Sequence, residues 1–375
     1  MGDILGLGMT HYPGLAARDE NMTGILRQVL ADPGLPERDR DPANWPEPLR
    51  REYGADQGKA AAAAHREALL NNLRRLRKAL DDFAPDVVVI WGDDQYENFK
   101  EDVIPAFCIL AFDHADVKPW ERQSRAGLGS NVWGEDGETT FRFPIHREAG
   151  KYLARGLLER DVDVAYAYRP LHHDGIGHAF ANTVLFLDYD RAGFPYPILP
   201  FQVNCYGSRV IAQRGYRSSL AAPLAEADLD PPSPSPKRCL QVGAATAQVF
   251  RDSPWRVALI ASSSWSHAFL TDKHHQLYPD VEADRRLYEA LREGDYDVWR
   301  NVPLSAIEQS GHQELLNWFC LVGAMEALGR TPDVCEYVES WAMNSSKCFA
   351  IFDAPRTVSA SGRTRAEERA IHAAD

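Results

Sequence analysis

The chain has 375 residues, enough for one large α/β domain or two smaller ones. Apolar residues make up 45% and charged residues 25%, an ordinary globular balance. The net charge of −13 argues against a nucleic-acid partner bound through phosphates, which needs a basic face. Six cysteines stand apart with no C-x-x-C pair, which argues against structural zinc and for free thiols in a reducing compartment. The first residues, M-G-D-I-L-G-L-G-M-T-H, lack the basic and long apolar regions of a signal peptide. No run approaches the roughly 20 apolar residues of a membrane helix. The expectation is a cytoplasmic protein with no membrane or nucleic-acid partner.

Residues 4–9 read as a first strand ending at Thr10-His11-Tyr12-Pro13-Gly14, where Pro13 stops the ladder and biases His11 and Tyr12 toward a turn. Residues 31–56 are rich in Pro, Asp and Arg and read as a surface insertion, a lid or a subunit contact. A helix follows over 57–83, with Leu69, Leu73, Leu76, Leu80 and Phe83 on one face. Pro85 ends it. Val87 to Ile90 then form an unbroken β-branched run that suits a strand buried on both faces. Directly after it come Trp91, Gly92, Asp93, Asp94, Gln95, Glu97 and Asn98, a polar burst placed where open α/β sheets bind ligands. The plainer account is a solvated strand exit, where Asp and Asn serve turns.

Further along, 102–112 holds an apolar run and 113–140 reads as a loop. Residues 144–159 read as a helix and 162–168 as a strand, and L-H-H-D-G-I-G-H-A-F supplies His172, His173 and His178. Residues 196–203 read as a strand and 221–237, with P-P-S-P-S-P, as a second insertion. A helix over 240–252 leads to a strand over 255–262 that ends in S-S-S-W-S-H-A-F-L, bringing Trp265, His267 and Phe269. A last helix starts near Gly311 and carries Glu314. The segment 355–375 reads as a polar tail.

Several predicted strands thus end in polar clusters: His11, Asp93 to Gln95, the histidines at 172, 173 and 178, and His267. Strand ends of one sheet share an edge, and histidine with carboxylate there suits Fe, Mn or Zn. Read singly, each residue has a bland alternative. His11 and His178 fit as core histidines, Glu314 fits as a first-turn acid at a helix dipole, and S-S-S-W-S fits as a helix-capping turn beside His267. His146, His274 and His275 are read as surface or structural.

Taken in order, the segments H-Y-P, V-V-V-I-W-G-D-D-Q-Y-E-N-F, G-H-A-F, S-W-S-H-A-F-L and E-L-L-N-W resemble the class III extradiol ring-cleavage dioxygenases, the group of the protocatechuate 4,5-dioxygenase β subunit. The resemblance implies Fe(II) held by two histidines and a glutamate. It makes His11 and Glu314 ligands, His267 an acid/base and His178 a substrate contact. Where that family carries its second histidine ligand this chain has Gln95, so Gln95 stands as the third ligand, with Asp94, Glu97, His172 or His173 as substitutes. Mn(II) or Zn(II) are the other metals considered. Tyr12, Trp91, Trp265 and Phe269 are expected to wall the substrate.

The expected fold is α/β: a single domain over residues 1–354 with a central, mostly buried mixed sheet flanked by helices and the active site at the strand ends. The expected activity is O2-dependent cleavage of a catechol-type ring by a homo-oligomer. His267, with a pKa near neutrality, would take a proton from the substrate hydroxyl and return one during ring opening. Two alternatives stay open: a metal-dependent hydrolase or lyase on the same scaffold, and a non-catalytic subunit with an altered metal site.

Overall fold

The computed structural model describes residues 2–125, 128–172, 175–215, 219–271 and 273–353. His173 and the tail 355–375 lie outside the described residues. Ten strands form among them: β1 (Ile4–Met9), β2 (Val87–Asp93), β3 (Phe107–Leu110), β4 (His114–Val117), β5 (Phe141–Pro144), β6 (Ala165–Ala167), β7 (Ile198–Val203), β8 (Val257–Ser262), β9 (Val334–Val338) and β10 (Lys347–Phe352). Eight make one mixed sheet in the order β6-β3-β7-β2-β8-β1-β10-β9, while β4 and β5 pair by themselves.

The centre of that sheet explains the apolar runs. Strands β7, β2, β8 and β1 lie side by side and all parallel, and every residue of each is buried. Parallel strands covered on both faces need continuous rather than alternating hydrophobicity, which is what 87–90 and 257–261 display. Antiparallel β3 and β10 flank this centre. Among the helices, α1 (Lys59–Phe83), α2 (Arg147–Leu158), α3 (His178–Leu187), α4 (Pro236–Arg251), α5 (Val281–Glu293) and α6 (Leu316–Ala327) are the longest. Helices α4 and α6 pack together, with α6 against β1, β2 and β8, while α1 and α3 form another pair that reaches β1, β10, β2 and β8. The α4–α6 approach is close enough that a Cβ at Gly243 would meet the Cys320 carbonyl at 1.8 Å. No described helix is long and apolar enough to cross a membrane.

Two sequence expectations need correction. Residues 113–140 are not a plain loop, because β4 pairs with β5 through salt-bridged Asp116 and Arg142. The strand expected over 162–168 shrinks to three residues, since it pairs only with β3 at the sheet edge. The insertion at 31–56 is held down by its own apolar cluster, in which Leu35, Trp45 and Leu49 pack with Leu26, Val29, Leu277 and Ala342.

Candidate functional site

Because the four central strands are parallel, their carboxyl ends open on one edge. Strand β1 exits there into Thr10 and His11, β2 ends in Asp93, β7 leads to Cys205 and Tyr206, and β8 leads through Ser262 to His267. The 3-10 turn Gln313–Leu315, just before α6, adds Glu314, and His178 opens α3. His11, Asp93, His267 and Glu314 are all buried.

His11 is the hinge of the cluster. Its Nδ1 lies 2.9 Å from the Ser262 carbonyl; a carbonyl only accepts, so Nδ1 donates. In the neutral ring this leaves a lone pair on Nε2. That nitrogen faces Asp93 Oδ1 at 3.6 Å and Glu314 Oε2 at 3.4 Å. On the other side of Glu314, Oε1 lies 3.3 Å from His267 Nε2 and accepts the Tyr206 hydroxyl. Neither Asp93 oxygen has a hydrogen-bond partner among the described residues. A ring nitrogen of His178 completes a group in which the ligand atoms of His11, Asp93 and His178 all lie within 4.8 Å of one another.

Burial shapes the protonation of these groups. The His267 imidazole is pushed down to about 3 by burial, with the charges of His11 and Lys347 acting in the same sense. The Tyr206 phenol is raised well above its usual range by burial and by Asp93 and Glu314, so it remains a donor. Cys205 is raised for the same reasons and stays a thiol.

The backbone around these residues is tied from outside the cluster. Buried Asp284, on α5, accepts the Ser266 backbone N–H at 3.0 Å and His312 Nε2 at 2.7 Å, so one carboxylate anchors both the loop of His267 and the turn of Glu314. The His267 N–H donates to the Gly311 carbonyl at 2.9 Å. Gly311 itself has φ +70°, and a Cβ there would sit 2.5 Å from the His267 carbonyl, so only glycine fits.

The residues singled out from the sequence are distributed as follows. His11, His178, His267 and Glu314 stand together. Gln95 turns aside: its amide nitrogen donates to the Gly215 carbonyl at 2.7 Å, and Asp93 is the side chain that β2 sends to His11. Phe269 stands edge-on to His267 with ring centroids 5.6 Å apart. Trp91 and Trp265, expected to wall a substrate, have no exposed surface. Trp91 packs on Phe201, and Trp265 on Trp299, Trp318 and Tyr337, so both belong to the core. Tyr12 is buried with its hydroxyl donated to the Met22 carbonyl and its ring under the Lys347 ammonium at 3.7 Å. His172 pairs with Asp102 instead, and His146 accepts the Ala149 N–H at the start of α2. Tyr206, Asp284 and Lys347 were missed as supporting groups, and Asp93, placed in the polar burst after β2, was not among the expected ligands. Only Asp93 carried a signal, as the first acid after the buried run.

No protein-family model matches the chain. Single proteins do. The chain is 28% identical over 194 residues to a 2,3-dihydroxyphenylpropionate/2,3-dihydroxicinnamic acid 1,2-dioxygenase of Burkholderia vietnamiensis, a match covering 52% of this chain and 47% of that protein. Proteins of the same description from a Rhodococcus species and from Klebsiella pneumoniae match at 27% over 281 residues and 25% over 315. These cover 68% and 70% of this chain and 80% and 85% of the relatives. The chain is similar to extradiol dioxygenases. The match thus spans about half the length of the Burkholderia relative and most of the other two. Cleavage at carbons 1 and 2 of a 2,3-diol breaks the bond beside the diol rather than between its hydroxyls, which is what extradiol means. These relatives are named as dioxygenases of aromatic 2,3-diols.

Proposed function

We propose that this chain cleaves a catechol-type ring beside its two hydroxyls, at a divalent metal held by His11, Asp93 and Glu314. The observation that carries the reading is the Nε2 lone pair of His11 aimed at two buried carboxylates, one of which lacks any hydrogen-bond donor among the described residues. Burying such carboxylates costs several kcal/mol each unless positive charge offsets it, and a cation between them and the imidazole supplies that charge. Asp93 takes the place that the sequence reading assigned to Gln95. One imidazole with two carboxylates suits Fe(II) or Mn(II), and a metal of that kind supplies the route for electrons between the ring and O2.

The protein's own groups do the rest. Burial holds His267 neutral and makes it a weak base on its own; Glu314 at 3.3 Å favours the imidazolium, so the two together accept the proton of a substrate hydroxyl. The Tyr206 hydroxyl holds the other face of the Glu314 carboxylate in place. Phe269 and Ile104, packed on Tyr206, Ile211 and Leu270, offer the apolar wall for the ring and exclude water from it. In the overall change one ring carbon–carbon bond is broken and both atoms of O2 enter the product. Residues 1–354 act as one catalytic domain, with a small aromatic diol and O2 as partners.

The test is metal analysis of anaerobically purified protein, then O2 uptake with a panel of catechols that includes 2,3-dihydroxyphenylpropionate. Stoichiometric Fe or Mn, and O2 uptake matched to loss of the diol, are expected. Metal-loaded protein that consumes no O2 with any member of the panel would overturn the reading.

A further inference from the structure

The loop after β2 gives each of its polar side chains a separate task. Asp94 accepts the backbone N–H groups of Glu97, Asn98 and Phe99 at 2.9, 2.7 and 3.3 Å, which fixes the loop's own shape. Asn98 donates to the Gly175 carbonyl at 3.0 Å and accepts the Gly177 N–H at 2.8 Å. The loop is thereby fastened to the segment that enters α3. Glu97, beside them and almost fully buried, meets His178 among the described residues. Its carboxylate accepts the His178 backbone N–H at 3.1 and 3.2 Å and meets His178 Nδ1 at 2.8 Å.

A carboxylate accepts, so the Glu97 contact places the ring proton on Nδ1. The other nitrogen, Nε2, then carries the lone pair. The His178 ring stands edge-on to His11 with centroids 5.2 Å apart, beside Asp93. We propose that Glu97 is a positioning residue that locks His178 as the Nδ1-protonated tautomer, so that Nε2 meets the substrate as a proton acceptor beside the His11–Asp93 cluster. The use of that lone pair on a diol rests on the ring-cleavage reading; the tautomer itself does not.

The substitution Glu97→Gln separates orientation from tautomer. With the amide oxygen on the backbone N–H, the amide NH2 faces Nδ1 and donates to it. The ring must then protonate at Nε2, and the lone pair is replaced by an N–H. Nitrogen-15 spectra of histidine-labelled, metal-free protein, with His178→Gln used for assignment, read this without turnover. Wild type is expected to show a protonated Nδ1 and a bare Nε2 for His178, and Glu97→Gln the reverse. In the metal-loaded enzyme Glu97→Gln should lower kcat roughly 10- to 100-fold, the usual cost of losing an orienting partner, with KM for the diol and metal content unchanged. A wild-type spectrum with Nε2 protonated overturns the proposal, and it does so even if the variant fails to fold. So does a variant that keeps the wild-type spectrum and full kcat. An inverted spectrum in a protein that never turns over a diol supports the tautomer lock and refutes only the ring-cleavage reading.

Discussion

Lys347 opens β10 with no exposed surface. Its ammonium donates to the Met343 and Ser345 carbonyls and lies over the Tyr12 ring. Burial pushes it from 10.5 down to about 7, against the opposing pull of Glu52 and Asp284. The sign of the consequence is fixed by linkage. Below pH 7 the lysine is charged in both native and unfolded chains, and the full burial penalty weighs on the native state. Above pH 7 the native lysine gives up its proton while the unfolded one keeps it until about 10.5. The unfolded chain then binds more protons, so stability rises with pH. The drop from 10.5 to about 7 corresponds to about 5 kcal/mol, at about 1.4 kcal/mol per tenfold change in acidity. Between about pH 7.5 and 9 the gain should be about 2 kcal/mol. Lys347→Met keeps the stem and removes the titration. Urea unfolding followed by tryptophan fluorescence, with chelator present, should show wild type gaining on Lys347→Met by that amount over this range. Taking the difference cancels the shared tyrosine and cysteine titrations. A difference that stays flat would refute the assignment of a buried, titrating lysine beneath the site. The same variant should also let the His267 pKa rise, since Lys347 is one of the charges that hold it down.

Asp93→Asn and Glu314→Ala should each weaken divalent-metal binding about 100-fold or more, because opening a buried charge contact costs about 3 to 5 kcal/mol. Calorimetric titration with Mn(II) checks this, and wild-type affinity in either variant would remove that residue from the metal site. His267→Ala should retain metal and bind the diol while losing about 10²- to 10⁴-fold in kcat; loss of metal would instead make His267 a ligand. Gln95→Ala should leave metal affinity unchanged, as its amide is turned to Gly215, and a tenfold loss of affinity would return Gln95 to the coordination sphere.

The sequence by itself determined the parts of this protein that depend on local pattern. The β-branched run 87–90 specified a doubly buried strand because no other element suits so apolar a short stretch. The spacing of Leu69, Leu73, Leu76 and Leu80 specified the helix that became α1. Polar residues stacked just past such strands singled out His11, His178 and His267, and the family resemblance added Glu314; they stand together because the start of α3 and the turn before α6 meet the carboxyl edge that the parallel strands share. Only the tertiary structure decided which acid of D-D-Q faces His11. Strand β2 stays paired with β7 as far as Asp93↔Val203, three residues beyond the β-branched run, and the turn that follows carries Gln95 to Gly215. Nothing local announces where a ladder ends. Tyr206 acquires its role from Glu314, 108 positions away, and Asp284 from Ser266 and His312. Lys347 lies in the core because the Tyr12 ring, from the far end of the chain, closes over an ammonium that the neighbouring Met343 and Ser345 carbonyls already hold. Each of these depends on partners distant in sequence, which a reading along the chain does not bring together.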